Sequence, residues 1–390
     1  MSHDKIVIGE DGETIIVGPS PEIITALNVE LPKLTRVPFP NQFIPRIKLA
    51  FSFSSGIPRD GLRTVSEREL IKAIEQYLGT VKKQEPLSKS ISSILKANPS
   101  SSVLDVMTEW TGRALKKCQL CRWDCSVNRY QHPGRCRLDS RAYFEPLFVN
   151  ATEEWGQSLT CNVAGCDWDC HFCNQPDLLI RSKEYVVGSL DLLSPEIFWK
   201  QFLEIHTRYS GKPGSPQALS IAGGNPDDSL DAVLRVLSKT PFHFELPMIW
   251  QTNGYTSADS LKIIAGISDG IAVSYKFSDA CASTMGAPPK CLSASLRNLE
   301  WLTTEAPPTL IIARLLLLPG HVDCCFKKIV DSLVEYRDRI WVTLLDAYVP
   351  SYKASGNLTR FLKGEEIETA KSVLRKAKFR LTDSWVEMTS

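Results

Sequence analysis

Cys166-Asp-Trp-Asp-Cys170-His-Phe-Cys173 is the stretch that decides how the rest of the chain is read. Three thiols this close cannot be three disulfide halves, and in a reducing compartment such a cluster is more often a metal site. A [4Fe–4S] cubane ordinarily takes four thiolates. Three from the protein would leave one iron open to a small ligand. A zinc knuckle and three packed core thiols are the alternatives that the spacing leaves. Just upstream, Trp155 to Val163 alternates apolar and polar residues and is expected to end a strand, with Cys161 in the core.

The composition sets the frame for that loop. At 390 residues the chain suits one large domain with additions, or two domains. Hydrophobic residues make up 43% and charged residues 23%, as in ordinary soluble domains. With a formal net charge of +1, nothing in the total points to nucleic acid or an anionic membrane as partner. The longest apolar run, Leu310 to Leu318, is interrupted by Arg314 and suits a buried strand rather than a membrane span. Met1-Ser-His-Asp-Lys5 opens without an apolar core, so no secretory signal is visible. Twelve cysteines in that setting argue for a cytoplasmic location and for metal rather than disulfides.

Upstream lies a second cysteine group: Cys118-Gln-Leu-Cys121, then Cys125, then Cys136 after Gly134-Arg135. Four thiolates can close around one tetrahedral metal or hold a full cluster with no open iron. Zinc, mononuclear iron and a second iron–sulfur cluster all remain open. Arg122, Arg129, Arg135 and Arg137 surround the group and can offset its thiolate charge or dock an acidic partner.

Beyond Cys161 short apolar runs alternate with amphipathic stretches. Strands are expected at 159–163, 218–222, 247–251, 270–275, 308–318 and 339–345, and helices at 195–209, 229–237, 257–264, 293–303, 323–336 and 365–376. This alternation implies a parallel sheet with right-handed crossovers, whose ligands bind at the C-terminal strand ends. Short motifs follow those ends. They are Ala222-Gly-Gly-Asn-Pro226, Gln251-Thr-Asn-Gly-Tyr255, Ser274-Tyr-Lys-Phe277 and Arg314 through Pro319-Gly-His321.

In these motifs the chain resembles the radical S-adenosylmethionine (SAM) superfamily, whose cluster motif is CxxxCxxC. Gly165 before it and Phe172 inside it match the usual form. Gly223-Gly224-Asn225-Pro226 resembles the family's GGEP, with Asn in place of Glu. The Asn253 segment is similar to the TNG of glycyl-radical-enzyme activases, Ser274-Tyr-Lys276 to their DxK, and Arg314 to Gly320 to their RxxxxPG. More narrowly, Cys125-Ser-Val-Asn-Arg129, Gly134-Arg-Cys136, Leu318-Pro-Gly-His-Val-Asp323 and Leu345-Asp-Ala-Tyr-Val-Pro350 resemble uncharacterised radical SAM proteins related to pyruvate formate-lyase activating enzyme. The likeness covers roughly residues 118–353.

The resemblance implies an α/β fold, an open (β/α)6 barrel with an N-terminal extension and a Cys-rich metal-binding segment. The expected division is 1–110 extension, 111–150 Cys-rich segment, 151–350 partial barrel and 351–390 a final helix and strand packed on it. It implies a [4Fe–4S] cluster on Cys166, Cys170 and Cys173, and SAM held near Phe172, Gly223, Gly224, Asn225, Asn253 and Lys276. Reductive cleavage of SAM would give a 5′-deoxyadenosyl radical that abstracts hydrogen from a peptide or protein substrate. A small-molecule substrate, or a non-catalytic electron-transfer or interaction role, is the alternative. An electron donor such as flavodoxin or ferredoxin is the implied partner.

The remaining segments carry lesser expectations. Residues 5–17 read as two strands around an Asp-Gly turn, 19–59 as irregular and Pro-rich, and 82–102 as surface loop with a short helix. Helices are expected at 70–78 behind a Ser66–Glu69 capping box and at 103–117, with a last strand at 380–387. Vicinal Cys324 and Cys325 read as packing, Cys281 and Cys291 as single buried thiols. His321 either ends a strand or faces the site. Within the cluster loop His171 is expected to meet solvent or a partner, and Trp168 to shield the loop from water.

Overall fold

Lys5–Ile8 (β1) and Thr14–Val17 (β2) pair antiparallel, Lys5 opposite Val17, around the Asp-Gly turn signal. The turn itself lies outside the described residues. The computed structural model describes these two strands and residues 44–83, 99–179, 190–209, 212, 215–241 and 244–382.

Three helices follow. Arg46–Ser52 (α1) falls in the stretch expected to be irregular. All its prolines but Pro58 precede the helix, and tertiary contacts fix it: the Arg46 amide donates to Asp269 Oδ1 at 3.0 Å and its guanidinium to the Ala265 carbonyl at 3.0 Å. Glu67–Lys83 (α2) begins on the expected capping box, with the Ser66 amide donating to Glu69 Oε2 at 2.8 Å and the Glu69 amide to Ser66 Oγ at 3.3 Å. Val103–Ala114 (α3) starts on a second box made by Ser102 and Asp105. All three helices share one apolar core with the sheet's helices. The 82–102 loop is described only at its two ends.

Tyr143–Phe144 (β3), Phe148–Glu153 (β4) and Gly156–Val163 (β5) come next, then Asp191–Leu192 (β6). Sequence reading found β5 but not its short antiparallel neighbours, whose two to six residues carry too little period. The alternation then runs Pro195–Tyr209 (α4), Ala218–Gly223 (β7), Leu230–Leu237 (α5), Met248–Thr252 (β8), Ala258–Ile267 (α6) and Gly270–Tyr275 (β9). It continues through Asp279–Ala282 (α7), Cys291–Thr304 (α8), Leu310–Leu316 (β10), Lys327–Leu333 (α9), Trp341–Leu345 (β11), Gly364–Ala377 (α10) and Arg380–Leu381 (β12). Of the last expected strand, residues 383–387 lie outside the described residues.

The sheet order is β12-β11-β10-β9-β8-β7-β5-β3-β6, with β4 on β5. Strands β5 and β7 to β12 are parallel, each beside its predecessor in the chain. The fold is therefore an α/β, open (β/α)6 arrangement, its sheet not closed on itself. One face packs on the helices through residues such as Leu159, Ile221, Trp250, Val273 and Leu315. The other is layered. Trp155, Ala218, Ile249, Ala272 and Ile312 form an apolar floor near the N-terminal strand ends. Above it Arg314 pairs with Glu153 and Glu154, donating from Nε to Glu154 Oε1 at 2.8 Å, while Gln251 donates to Glu153 Oε1 at 2.9 Å and to Ser220 Oγ at 2.6 Å. The two carboxylates outweigh the burial that disfavours the Arg314 charge, and its pKa is raised. Among the described residues no helix is long and apolar enough to cross a membrane.

Candidate metal and cofactor site

The cluster loop leaves the C-terminal end of β5 at a turn that only glycines permit. Gly165 has φ +91°, and a Cβ there would sit 2.5 Å from Leu138 Cγ. A Cβ on Gly224 would lie 2.1 Å from the Gly165 carbonyl oxygen, and the Asn225 amide donates to that oxygen at 2.8 Å. The glycines of the β7 loop thus press their backbone onto the cluster loop itself.

Other strand ends hold the loop from the far side. The Asp169 amide donates to the Gly286 carbonyl at 2.8 Å, the His171 amide to that of Met285 at 3.0 Å, and the Lys353 amide to that of His171 at 2.9 Å. Ser351 Oγ donates to the Cys173 carbonyl at 2.8 Å. Loops after β5, β7, β9 and β11 therefore converge on one rim. Cys166 and Cys170 are buried and Cys173 is half-buried.

Lys276, just past β9, reaches into this loop. Its Nζ lies 3.9 Å from Cys170 Sγ and 5.5 Å from the centre of the Trp168 ring. Burial disfavours the ammonium, but Cys170, Cys166 and Cys173 outweigh it and raise its pKa. All three thiols therefore sit within the field of one cation. Burial, reinforced by Asp167 and Asp228, pushes the Cys166 thiol far up. The Trp168 amide donates to Cys166 Sγ at 3.4 Å. Phe172 is buried edge-on to Phe277, centroids 6.0 Å apart, and packs likewise on Tyr348.

Two groups of possible ligand atoms lie within 4.8 Å of one another among the described residues: Cys281, His321, Cys324 and Cys325, and Cys121, Asp167 and Asp228. The three loop thiols do not form such a group. Ligands of one tetrahedral ion must approach that closely, whereas a cubane spreads its thiolates over separate irons. The wider grouping around Lys276 fits a cluster better than a zinc knuckle. Trp168 Nε1 and Asp167 Oδ2 are buried there with no hydrogen-bond partner.

Asn225 and Asn253 are brought to the same place but turn inward. Asn225 Nδ2 donates to Asp167 Oδ1 at 3.2 Å and Asp228 Oδ2 at 3.3 Å; Asn253 Nδ2 donates to Asp167 Oδ1 at 2.7 Å. The Asn253 amide donates to Asn225 Oδ1 at 3.3 Å. Asp227, fully buried, accepts from Trp250 Nε1 at 2.7 Å and Thr252 Oγ1 at 2.6 Å. Burial and the Asp227 charge push Asp228 up to about 7. Sequence reading missed this triad of acids. Asp167 inside the cluster motif and Asp227-Asp228 behind Gly-Gly-Asn-Pro were its signal, since both strand ends are buried.

The acids connect to the four-cysteine segment. Cys118, Cys121 and Cys136 are buried and Cys125 half-buried. A Cβ on Gly134 would meet both Cys136 Sγ, at 3.4 Å, and Cys125 Sγ, at 3.7 Å. The four do not form a group within 4.8 Å; Cys121 instead stands with Asp167 and Asp228. Arg129, 2% exposed, is the segment's cation. It donates to the Asp139 carbonyl from Nε at 3.1 Å and from a terminal nitrogen at 2.7 Å, and to the Asp228 carbonyl at 2.7 Å. Burial opposes its charge, yet Cys136 and Cys118 raise its pKa. The other arginines act elsewhere: Arg135 stacks 3.6 Å over Trp123, Arg137 pairs with Asp169 at 3.2 Å, and Arg122 donates to Asn298 at 2.7 Å.

No family model matches the chain. It is 27% identical over 282 residues to an uncharacterized protein of Methanocaldococcus jannaschii, covering 70% of this chain and 79% of that one. Among solved structures it is similar to Streptococcus suis SuiB bound to precursor peptide SuiA, at 15% identity and a TM-score of 0.34. That alignment spans 55% of this chain and 46% of SuiB. It is also similar to a radical SAM methyltransferase from Sphaerobacter thermophilus, at 13% identity and a TM-score of 0.42, over 84% of this chain and 95% of the other.

Proposed function

We propose that the chain is a cytoplasmic radical SAM enzyme, in which Cys166, Cys170 and Cys173 would hold a [4Fe–4S] cluster and the neighbouring strand-end loops would hold SAM. One observation carries the reading: three thiols grouped around the Lys276 ammonium at the C-terminal rim of an open (β/α)6 sheet. When bound, the cluster supplies the electron that cleaves SAM to a 5′-deoxyadenosyl radical able to take hydrogen from a substrate. The chain's own part is to seat, orient and exclude water. Lys276 offers its ammonium to the SAM carboxylate, and Trp168, Phe172, Phe277 and Tyr348 wall the loop from solvent. Gly223 and Gly224 press this loop against the cluster loop, and the loop's backbone carbonyls are the element offered to the SAM amino group. The substrate is a peptide or protein, activated at a glycine or modified at a side chain, and the electron comes from a flavodoxin or ferredoxin. The four-cysteine segment holds a separate, closed metal centre.

A second reading is a cluster-carrying electron-transfer protein that cleaves nothing. It is favoured by Asn225 and Asn253, whose side-chain groups are engaged with Asp167, Asp228 and each other. Anaerobic reconstitution followed by dithionite and SAM separates the two. The enzyme forms 5′-deoxyadenosine; a chain that binds four irons at the loop but forms none is the electron carrier. Deuterium transfer from labelled peptides and small molecules into 5′-deoxyadenosine then sorts the substrate class.

A further inference from the structure

We propose that Cys281, His321, Cys324 and Cys325 form a zinc site, separate from both cysteine loops, that ties the loop after β9 to the loop after β10.

Three of these residues come from one turn. His321, Cys324 and Cys325 stand at i, i+3 and i+4, so a helical turn sets them on one face. The turn Val322–Phe326 is π-helical, with the Phe326 amide donating to the His321 carbonyl at 3.1 Å. Such wide turns inside helices are frequently functional. Cys281, on α7, arrives from the preceding loop, and the four ligand atoms all lie within 4.8 Å of one another.

The spacings match one small tetrahedral ion. With Zn–S near 2.3 Å and Zn–N near 2.05 Å, ligand atoms should be about 3.8 Å apart between sulfurs and about 3.6 Å between sulfur and nitrogen. The structure has Cys324 Sγ and Cys325 Sγ 3.9 Å apart, and His321 Nδ1 at 3.2 Å from Cys324 Sγ and 3.9 Å from Cys325 Sγ. Three sulfurs and one imidazole are a structural zinc donor set, and four protein ligands leave no open position.

The surroundings hold the ligands in place. Ser278 Oγ lies 3.8 Å from Cys325 Sγ. Glu366 accepts from the Gly320 amide at 2.6 Å, fixing the turn that presents His321. Gly320 itself has φ +77°, and a Cβ there would strike Asn357 at 2.3 Å. Cys325 is buried while Cys281, His321 and Cys324 are half-buried, so an ion can enter from solvent. Bound there, it would fix the backbone five residues beyond Lys276.

The test uses the full chain, reconstituted anaerobically with iron and sulfide and then given Zn2+ or Co2+ alone. Wild type is expected to retain one equivalent more Zn2+ than the His321→Ala/Cys324→Ser variant, at equal iron. The cobalt form should show the visible bands and sulfur charge transfer of a tetrahedral centre with three sulfur ligands and one nitrogen, lost in the variant. Equal zinc in two folded proteins overturns the site. Should the variant fold poorly, wild type alone decides: Zn2+ should slow alkylation of Cys281 and Cys324, located by peptide mapping, by about tenfold or more. Unchanged labelling of those two thiols overturns the proposal.

Discussion

The two cysteine loops face each other across a layer of buried acids, and each has one cation among its thiols. The cations are held differently. Arg129 spends its guanidinium on the carbonyls of Asp139 and Asp228, which fix it in place. Lys276 touches Cys170 at 3.9 Å and leans over an indole ring, contacts that a better acceptor can replace. A fixed cation suits a closed structural centre, and a replaceable one suits a site that must receive a carboxylate.

The largest effect should come from the loop that supplies three thiols. Replacing Cys166, Cys170 and Cys173 together with Ala should remove four irons and all 5′-deoxyadenosine formation, while the metal at the other segment stays. Iron analysis and product chromatography check it, and loss of both centres would erase the distinction between the loops.

Next is Arg129→Met. Removing it leaves the carbonyls of Asp139 and Asp228 without these donors, at a cost of about 1–3 kcal/mol for each. Thermal or denaturant unfolding should show that loss, with metal leaving Cys118, Cys121, Cys125 and Cys136 first. A variant as stable as wild type would mean that Arg129 is not the segment's keystone.

Lys276→Met sharpens the contrast. A charge-assisted hydrogen bond is worth roughly 1.5–3 kcal/mol, so SAM should bind roughly ten- to hundredfold more weakly with the fold intact. Equilibrium dialysis of labelled SAM reads this directly, and unchanged affinity removes Lys276 from the site.

The smallest effect belongs to Glu366, away from both loops. Its bond to Arg360, with the amides of Lys363 and Gly320, overcomes burial and depresses its pKa to about 2. The stabilisation is therefore present above the ordinary value of 4.5 and fades as pH falls toward about 2. Glu366→Gln should remove this part of the acid dependence of Tm, seen in melts across that range; an unaltered curve would deny it.

What was legible in the sequence follows from how local each signal is. The parallel strands and their helices were found because apolar period and turn residues lie within one segment: Gly270–Tyr275 and Pro195–Tyr209 have the expected bounds. α1 was missed because Arg46 answers to Asp269 and Ala265, more than two hundred residues away. The three loop thiols stood out through their spacing. Cys281, His321, Cys324 and Cys325 did not, since two strand-end loops must meet before Cys281 joins the others. Asn225 and Asn253 were placed at the right strand ends, but only the fold reveals the buried Asp167 that engages their side chains.

The filled lower half of the sheet has a consequence for traffic. Among the described residues, Trp155, Ile249, Ala272 and Ile312, with Arg314 and its two glutamates above them, fill the sheet's inner face beneath Lys276. That end is stoppered. What reaches the lysine comes over the rim or past the open edge of the sheet, and never through that floor.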